Sequence, residues 1–250
     1  MKGKAIIITG ANGAIGSFLT AEYLKRGCLV FALIHNHKDR ISPLIDKFPD
    51  KLVVKECDLT NYDVVKSVFR EFIDQFGFIP RKLIHTSAVR SSDFSILTNT
   101  DPKRWYSIVQ MNIFSCYNLL HIILPFYQKD RVGKIVLIGS NISRTGLKNG
   151  SAYAVAKGAL ANLARTIALE YGQDNILINV LSPGAVQADQ SHFDQDYRRF
   201  REDYFQKELK NTPLRKLVQP IDILNSCDFL LSDKNNLISG EEIFITGGKI

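Results

Sequence analysis

Tyr153 and Lys157 stand four residues apart in the run Gly150-Ser-Ala-Tyr153-Ala-Val-Ala-Lys157-Gly-Ala-Leu160. An Ala-rich run of this kind favours helix, and on a helix residues i and i+4 share one face. A free phenol titrates near pH ~10 and is a poor acid or base at neutral pH, but a neighbouring cation favours its ionised form. Tyr153 beside Lys157 could therefore serve as a general acid or base. Tyr-x-x-x-Lys by itself recurs by accident on surface helices, so its weight depends on the residues around it.

A second group of residues suits a phosphate. Thr9-Gly10-Ala-Asn12-Gly13-Ala-Ile15-Gly16 follows the apolar run Ala5-Ile-Ile-Ile8 and precedes a helical pattern. Glycines in that position let the backbone turn sharply and approach a pyrophosphate, which the N-terminus of the following helix attracts. The strand–turn–helix context gives the glycines their meaning.

The elements that must position these groups follow from hydrophobic periodicity. Strands are predicted over residues 4–8, 29–34, 52–56, 82–85, 134–138, 175–181 and 242–246. Helices are predicted over 14–26, 61–76, 102 to about 127, 151–171 and 220–231, with Gly27 and Gly77 stopping the first two. Such alternation implies right-handed crossovers and an α/β fold with a mostly parallel, doubly wound sheet of about seven strands. Ligands of these sheets bind at the carboxyl ends of the strands, where both groups fall. Residues 187–212 break the rhythm: they are rich in charge, Gln and aromatics (Phe193, Tyr197, Phe200, Tyr204, Phe205), and two short helices forming a substrate flap are expected there.

Composition narrows the classes. The chain has 250 residues, 45% of them hydrophobic, enough for one large domain spanning 1–250. The first apolar run is too short for a signal peptide or a membrane span, so a cytoplasmic protein is expected. Cys28, Cys57, Cys116 and Cys227 lack disulfide or metal-ligand spacing, and reduced, mostly buried thiols and no metal site are expected. A net charge of +7 is spread without a Lys/Arg block or nucleic-acid motif, so no nucleic-acid partner is expected.

The glycine turn, Asp58 after the third strand and the Tyr-x-x-x-Lys helix together resemble the short-chain dehydrogenase/reductase family, in its compact branch, over essentially the whole chain. Further matches are Asn112 in Met-Asn-Ile-Phe, Ser140 in Val-Leu-Ile-Gly-Ser with Tyr153 thirteen residues later, Asn179-Val-Leu-Ser-Pro183-Gly184, Pro213-Leu-Arg and Thr246-Gly-Gly248. The resemblance implies a Rossmann-type fold with helices on both faces and an NAD(P)-dependent oxidoreductase similar to 3-oxoacyl-carrier-protein reductases. It implies that Tyr153 gives a proton to a carbonyl oxygen, or takes one from an alcohol, as hydride passes to or from the nicotinamide. Lys157 would lower the Tyr153 pKa and hold the ribose hydroxyls, Ser140 would hydrogen-bond the substrate oxygen, and Asn112 would position a water that relays protons to Lys157. The implied cofactor contacts are Gly10, Asn12, Gly13, Ile15 and Gly16 in the turn, His35 and Asn36 after the second strand, and Asp58 and Leu59 at the adenine. Ser87 and Ala88, Tyr153 and Lys157, and Pro183, Gly184 and Val186 complete them. A small-molecule or acyl-thioester substrate and a homotetramer or homodimer are implied as well.

Cofactor choice is read at the end of the second strand, where an acid would bind the 2′-hydroxyl of NAD and repel a 2′-phosphate. Ile34-His35-Asn36-His37-Lys38 has no acid, with Asp39 and Arg40 beyond, which favours NADP while leaving NAD possible. Two departures from the family pattern stand out. His85-Thr86-Ser87-Ala88 replaces Asn-Asn-Ala-Gly, and Ala188 stands where a Thr commonly contacts the carboxamide. The TGxxGxxG glycine spacing also resembles the nucleotide-sugar epimerases and dehydratases, but the length and the resemblance of Pro213 to Gly248 to the compact branch argue against that reading. A non-catalytic NADP sensor or scaffold is disfavoured by the complete Asn112, Ser140, Tyr153, Lys157 set.

Overall fold

The computed structural model describes residues 4–89, 95–191 and 194–249. Seven parallel strands form one sheet in the order β3-β2-β1-β4-β5-β6-β7. They are β1 (Ala5–Thr9), β2 (Leu29–Ile34), β3 (Leu52–Glu56), β4 (Lys82–His85), β5 (Gly133–Ile138), β6 (Ile176–Pro183) and β7 (Glu242–Ile245). β1, β2 and β6 are buried throughout, as strands covered on both faces must be; β2 reads as an unbroken apolar run, while β1 ends on Thr9 and β6 buries Asn179 and Ser182. The order reverses between β1 and β4, opening the crevice in which such sheets bind ligands.

Helices α1 (Ala14–Lys25), α2 (Ser42–Lys47), α3 (Tyr62–Phe76), α4 (Pro102–Asp130), α5 (Ile142–Thr145), α6 (Ser151–Tyr171), α7 (Gln195–Asn211) and α8 (Pro220–Leu231) connect the strands. α3, α4 and α6 cover one face of the sheet, and α1 and α8 the other, each burying its own apolar core. α3 begins at Asn61, whose side chain accepts from the Asp63 and Val64 amides, and stops at Gly77 with φ +71°. Its Val65, Val68, Phe69 and Phe72 are buried, and Phe72 stacks on Phe31 of β2 with ring centroids 4.1 Å apart. α4 is long and apolar enough to cross a membrane, but it packs against α3 and α6 and carries its buried face in the core.

The predicted strands and long helices match within a few residues. Sequence periodicity missed α2 and α5, which at six and four residues are too short to show one. The expected pair of flap helices is corrected to a single helix, α7: no Gly or Pro interrupts residues 194–211, and the Asp194 carboxylate caps the start by accepting from the Tyr197 amide at 2.7 Å. Residues 187–191 ahead of it are non-helical, and Phe193 lies outside the described residues. α7 buries only Phe205.

Candidate active site

The glycine turn joins the ends of β1 and β4 backbone to backbone. Gly10 has φ +63°, and a Cβ there would lie 2.8 Å from both the Ser87 amide nitrogen and Thr86 Oγ1. A Cβ on Gly16 would overlap the Gly10 carbonyl oxygen, so the first turn of α1 sits directly on the loop. Asn12 Oδ1 accepts from the amides of Arg40 at 2.9 Å and Ile41 at 3.1 Å, tying the turn to the loop after β2.

A cleft of about 380 Å³ opens beside this turn. Of the expected cofactor residues it is lined by Gly10, Asn12, Gly13, His35, Asn36, Asp58, Leu59, Ser87 and Ala88. The Asp58 carboxyl is held below its usual pKa, chiefly because its Oδ1 accepts from Thr60 Oγ1 at 2.7 Å and also from the Thr60 amide. Asn118 of α4 donates to the Leu59 and Thr60 carbonyls, fixing that loop from below. His37 joins the lining, but the Arg40 guanidinium is turned away to an ion pair with Asp189, Nε to Oδ2 3.3 Å. Arg40 is therefore not among the groups that line the cleft. Ile15 and Gly16 stand behind the wall, Ile15 packing on the core beneath α1.

The four expected catalytic residues lie outside that lining, Ser140, Tyr153 and Lys157 around the carboxyl end of β5 and Asn112 on α4 against the segment after β4. Lys157 is 2% exposed, and its Nζ donates to the Ile138 carbonyl at 2.8 Å. Burial lowers its pKa to about 8. Its ammonium lies 5.6 Å from the centroid of the Tyr153 ring, so α6 does place both groups on one face. Ser140, two residues past β5, is 8% exposed. Its loop is locked to β6: Gly139 donates to the Leu181 carbonyl and Asn141 to that of Pro183. Trp105 Nε1 donates to Ser151 Oγ at 3.0 Å, joining the starts of α4 and α6. Asn112, buried in α4, donates from Nδ2 to the Val89 and Ile108 carbonyls, both at 2.8 Å.

Pro183 ends β6 and Gly184 donates to the Ile245 carbonyl. Val186 bridges Val218, and its carbonyl accepts from Arg201 of α7. Ala188 lies two residues further along this non-helical stretch. The variant residues after β4 are built in. Thr86 Oγ1 donates to the Thr9 carbonyl at 2.7 Å, and His85 Nδ1 shares a hydrogen bond with Thr9 Oγ1 at 2.8 Å. In the sequence His85 and Thr86 stand out only as departures, and Met111 and Ser115, one residue before and three after Asn112 on α4, line the cleft without having been expected to. Spacing from Asn112 along α4 was the signal that pointed to them.

Residues 10–249 match a protein-family model described as Enoyl-(Acyl carrier protein) reductase. The chain belongs to the short-chain dehydrogenase/reductase family. It is an NAD(P)-dependent oxidoreductase. Among curated members, it is 26% identical over 250 residues to 3-oxoacyl-[acyl-carrier-protein] reductase FabG of Haemophilus influenzae, covering 99% of this chain and 98% of that protein. It is 27% identical over 253 residues to 7alpha-hydroxysteroid dehydrogenase of Escherichia coli K12, covering 100% and 95%. The solved structure of ElxO with NADP bound superposes with a TM-score of 0.88 at 27% identity, covering 100% of this chain and 99% of that one. These family members carry names for different substrates, so membership gives the reaction type and leaves the substrate open.

Proposed function

We propose that this protein is an NADP-preferring carbonyl reductase or alcohol dehydrogenase in which Tyr153 is the general acid/base. The observation that carries the reading is the buried Lys157 ammonium beside the Tyr153 ring at the end of β5, next to Ser140. The residues present fit a dinucleotide. Gly10 and Gly13 line the cleft with bare backbone, Gly16 lets the first turn of α1 close on the loop, α1 presents its N-terminus with no acid in the first turn, and the cleft has the volume of a ligand site. Gly10, Gly13, Asp58, Leu59, Ser87 and Ala88 would hold it, with Pro183, Gly184 and Val186 at the nicotinamide end. His35, Asn36 and His37 without an acid among them favour the 2′-phosphate, and NAD remains an alternative cofactor. A nicotinamide held there would supply or accept the hydride.

The chain's own residues handle the proton. Lys157, charged below about pH 8, favours proton release from the Tyr153 hydroxyl and is placed to bind ribose hydroxyls. Ser140 donates to the substrate oxygen as charge grows there. The substrate is a ketone, a hydroxysteroid or an acyl thioester, admitted past α7. One cytoplasmic domain spans 1–250, and copies associate as a dimer or tetramer through the exposed Tyr106, Phe114 and Tyr117 of α4 and Val155 and Leu169 of α6. Light scattering is expected to give more than a monomer mass. A screen of these three substrate classes by NADPH oxidation tests the activity. Tyr153→Phe is expected to cut kcat by about 10³-fold while leaving NADPH affinity unchanged, and substantial residual turnover refutes the assigned role.

A further inference from the structure

Three buried side-chain atoms have no hydrogen-bond partner among the described residues and lie on the same face of the sheet: His85 Nε2, Asn112 Oδ1 and Ser115 Oγ. The register fixes the placement. Thr9 pairs with His85 and His85 with Leu137, while Ile7, Leu83 and Leu137, the same-parity positions of these strands, all face the core under α3, α4 and α6. The His85 ring therefore points to the side from which α4 presents Asn112, Ser115 and Cys116 and α6 presents Lys157. His85, Asn112, Ser115 and Lys157 are all at most 3% exposed. Lys157 Nζ donates to the carbonyl of Ile138, the residue after Leu137, which pairs with His85, so its ammonium sits at the strand end next to that of His85, and its charge acts on both His85 and Cys116. Burial and that ammonium hold His85 neutral, with a pKa of about 3.

The hydrogen-bonding capacities of these groups are complementary. Both Nδ2 protons of Asn112 are spent on the Val89 and Ile108 carbonyls, so its Oδ1 can only accept. Lys157 has spent one of its three N–H groups on the Ile138 carbonyl and can only donate. If Thr9 Oγ1 donates to His85 Nδ1, the neutral ring carries its proton on Nε2 and donates there as well. A single water held between these groups would accept from Lys157 Nζ and His85 Nε2 and donate to Asn112 Oδ1 and Ser115 Oγ, giving all three orphaned atoms a partner.

We propose that His85 is a positioning residue of the proton relay, its Nε2–H fixing the water between Asn112, Ser115 and Lys157 through which Tyr153 exchanges its proton. This rests on Tyr153 and Lys157 being the proton-transfer pair. No bond other than O–H and N–H changes: when Lys157 passes a proton on toward Tyr153, its Nζ accepts one from the water, and the water is resupplied through the hydroxyl of Ser115, which lines the cleft. The departure from asparagine after β4 then has a function, because imidazole reaches Thr9 with one nitrogen and the relay with the other.

Two substitutions separate this role from plain packing. In His85→Asn the amide reproduces the Nδ1 position and its contact with Thr9 but not Nε2. In His85→Gln the amide nitrogen stands near Nε2. His85→Asn is expected to lower kcat about tenfold, with NADPH affinity within twofold and a larger solvent deuterium isotope effect on kcat as proton resupply becomes limiting. His85→Gln is expected to recover most of the lost turnover. Wild-type kcat and isotope effect in His85→Asn, or a His85→Gln no better than His85→Asn, overturn the proposal. Nitrogen-15 NMR of the five labelled histidines gives an arm independent of turnover. The resonance missing in His85→Asn should show a protonated Nε2 and a bare Nδ1, and the opposite tautomer also overturns the proposal. Tyr153→Phe that still turns over refutes the proton-transfer reading itself, while the tautomer continues to judge His85.

Discussion

The floor of the site and the flap over it are built on different principles. At the floor, around the ends of β1, β4 and β5, side chains are buried and cross-linked: His85 to Thr9, Thr86 to the Thr9 carbonyl, Asn112 to Val89 and Ile108, and Lys157 to Ile138. The flap helix α7 buries one residue, Phe205. It is tethered by Arg201 to the Val186 carbonyl and by the Lys249–Glu208 ion pair, while Arg40–Asp189 ties down the loop ahead of it. Buried polar networks hold groups to a single geometry, whereas partly exposed ion pairs contribute little and let an element move. On the proposed reading of Tyr153, Lys157 and α7, the reaction is set in the rigid layer and substrate choice is left to the layer that is easily remodelled.

Replacing Lys157 tests the floor most severely. Lys157→Met is expected to reduce turnover by about 10³-fold or more. It also exposes a cost of the site. The Lys157 pKa falls from 10.5 in the unfolded chain to about 8 in the fold, so between those values the unfolded state binds more protons. Wild-type stability, measured against Lys157→Met by urea unfolding, should therefore rise from pH 8 to pH 10.5, by roughly 3 kcal/mol from the shift alone. A flat difference would mean the ammonium is not desolvated.

The cradle comes next. Gly10→Ala places a Cβ against Ser87 and forces a positive φ on a residue that disfavours it. It is expected to weaken NADPH binding more than tenfold, read by fluorescence titration, with about 1–2 kcal/mol lost from stability. Arg201→Ala releases α7 from Val186 and removes the cation over the Phe205 ring, 4.5 Å from its centroid. Substrate KM should rise several-fold, with NADPH affinity unchanged. If cofactor affinity falls in step, the division between floor and flap is wrong. The smallest effect is expected from Asp189→Asn, which breaks the pair with Arg40. With Asp189 about half exposed, the loss is at most ~1 kcal/mol and fades with salt, giving at most a fivefold change in KM at low ionic strength.

Long amphipathic elements and Gly-rich turns were legible because they leave local signatures. α3 showed its apolar spacing, cap and Gly77 stop in fifteen consecutive residues, and the Tyr153–Lys157 spacing needed only a helix to give it meaning. α7 was misjudged because its single buried residue, Phe205, gives almost no periodicity to separate one helix from two. Arg40 was read as one of the basic groups near a phosphate, and only the packing of residues far away in the chain showed it turned to Asp189.

By itself the sequence determined the parallel α/β order and the glycine turn, and singled out Asn112, Ser140, Tyr153 and Lys157 as candidates, because each depends on neighbours within a strand, a turn or a helix. Tertiary structure decided what happens between elements. It set His85 and Thr86 as ties between β4 and β1, buried Lys157 deeply enough to lower its pKa, and brought His85, Asn112 and Ser115 beneath one face of the sheet. Burial and long-range hydrogen bonding follow from which strands lie side by side, and no local spacing encodes that for a histidine 76 residues beyond the threonine it bonds.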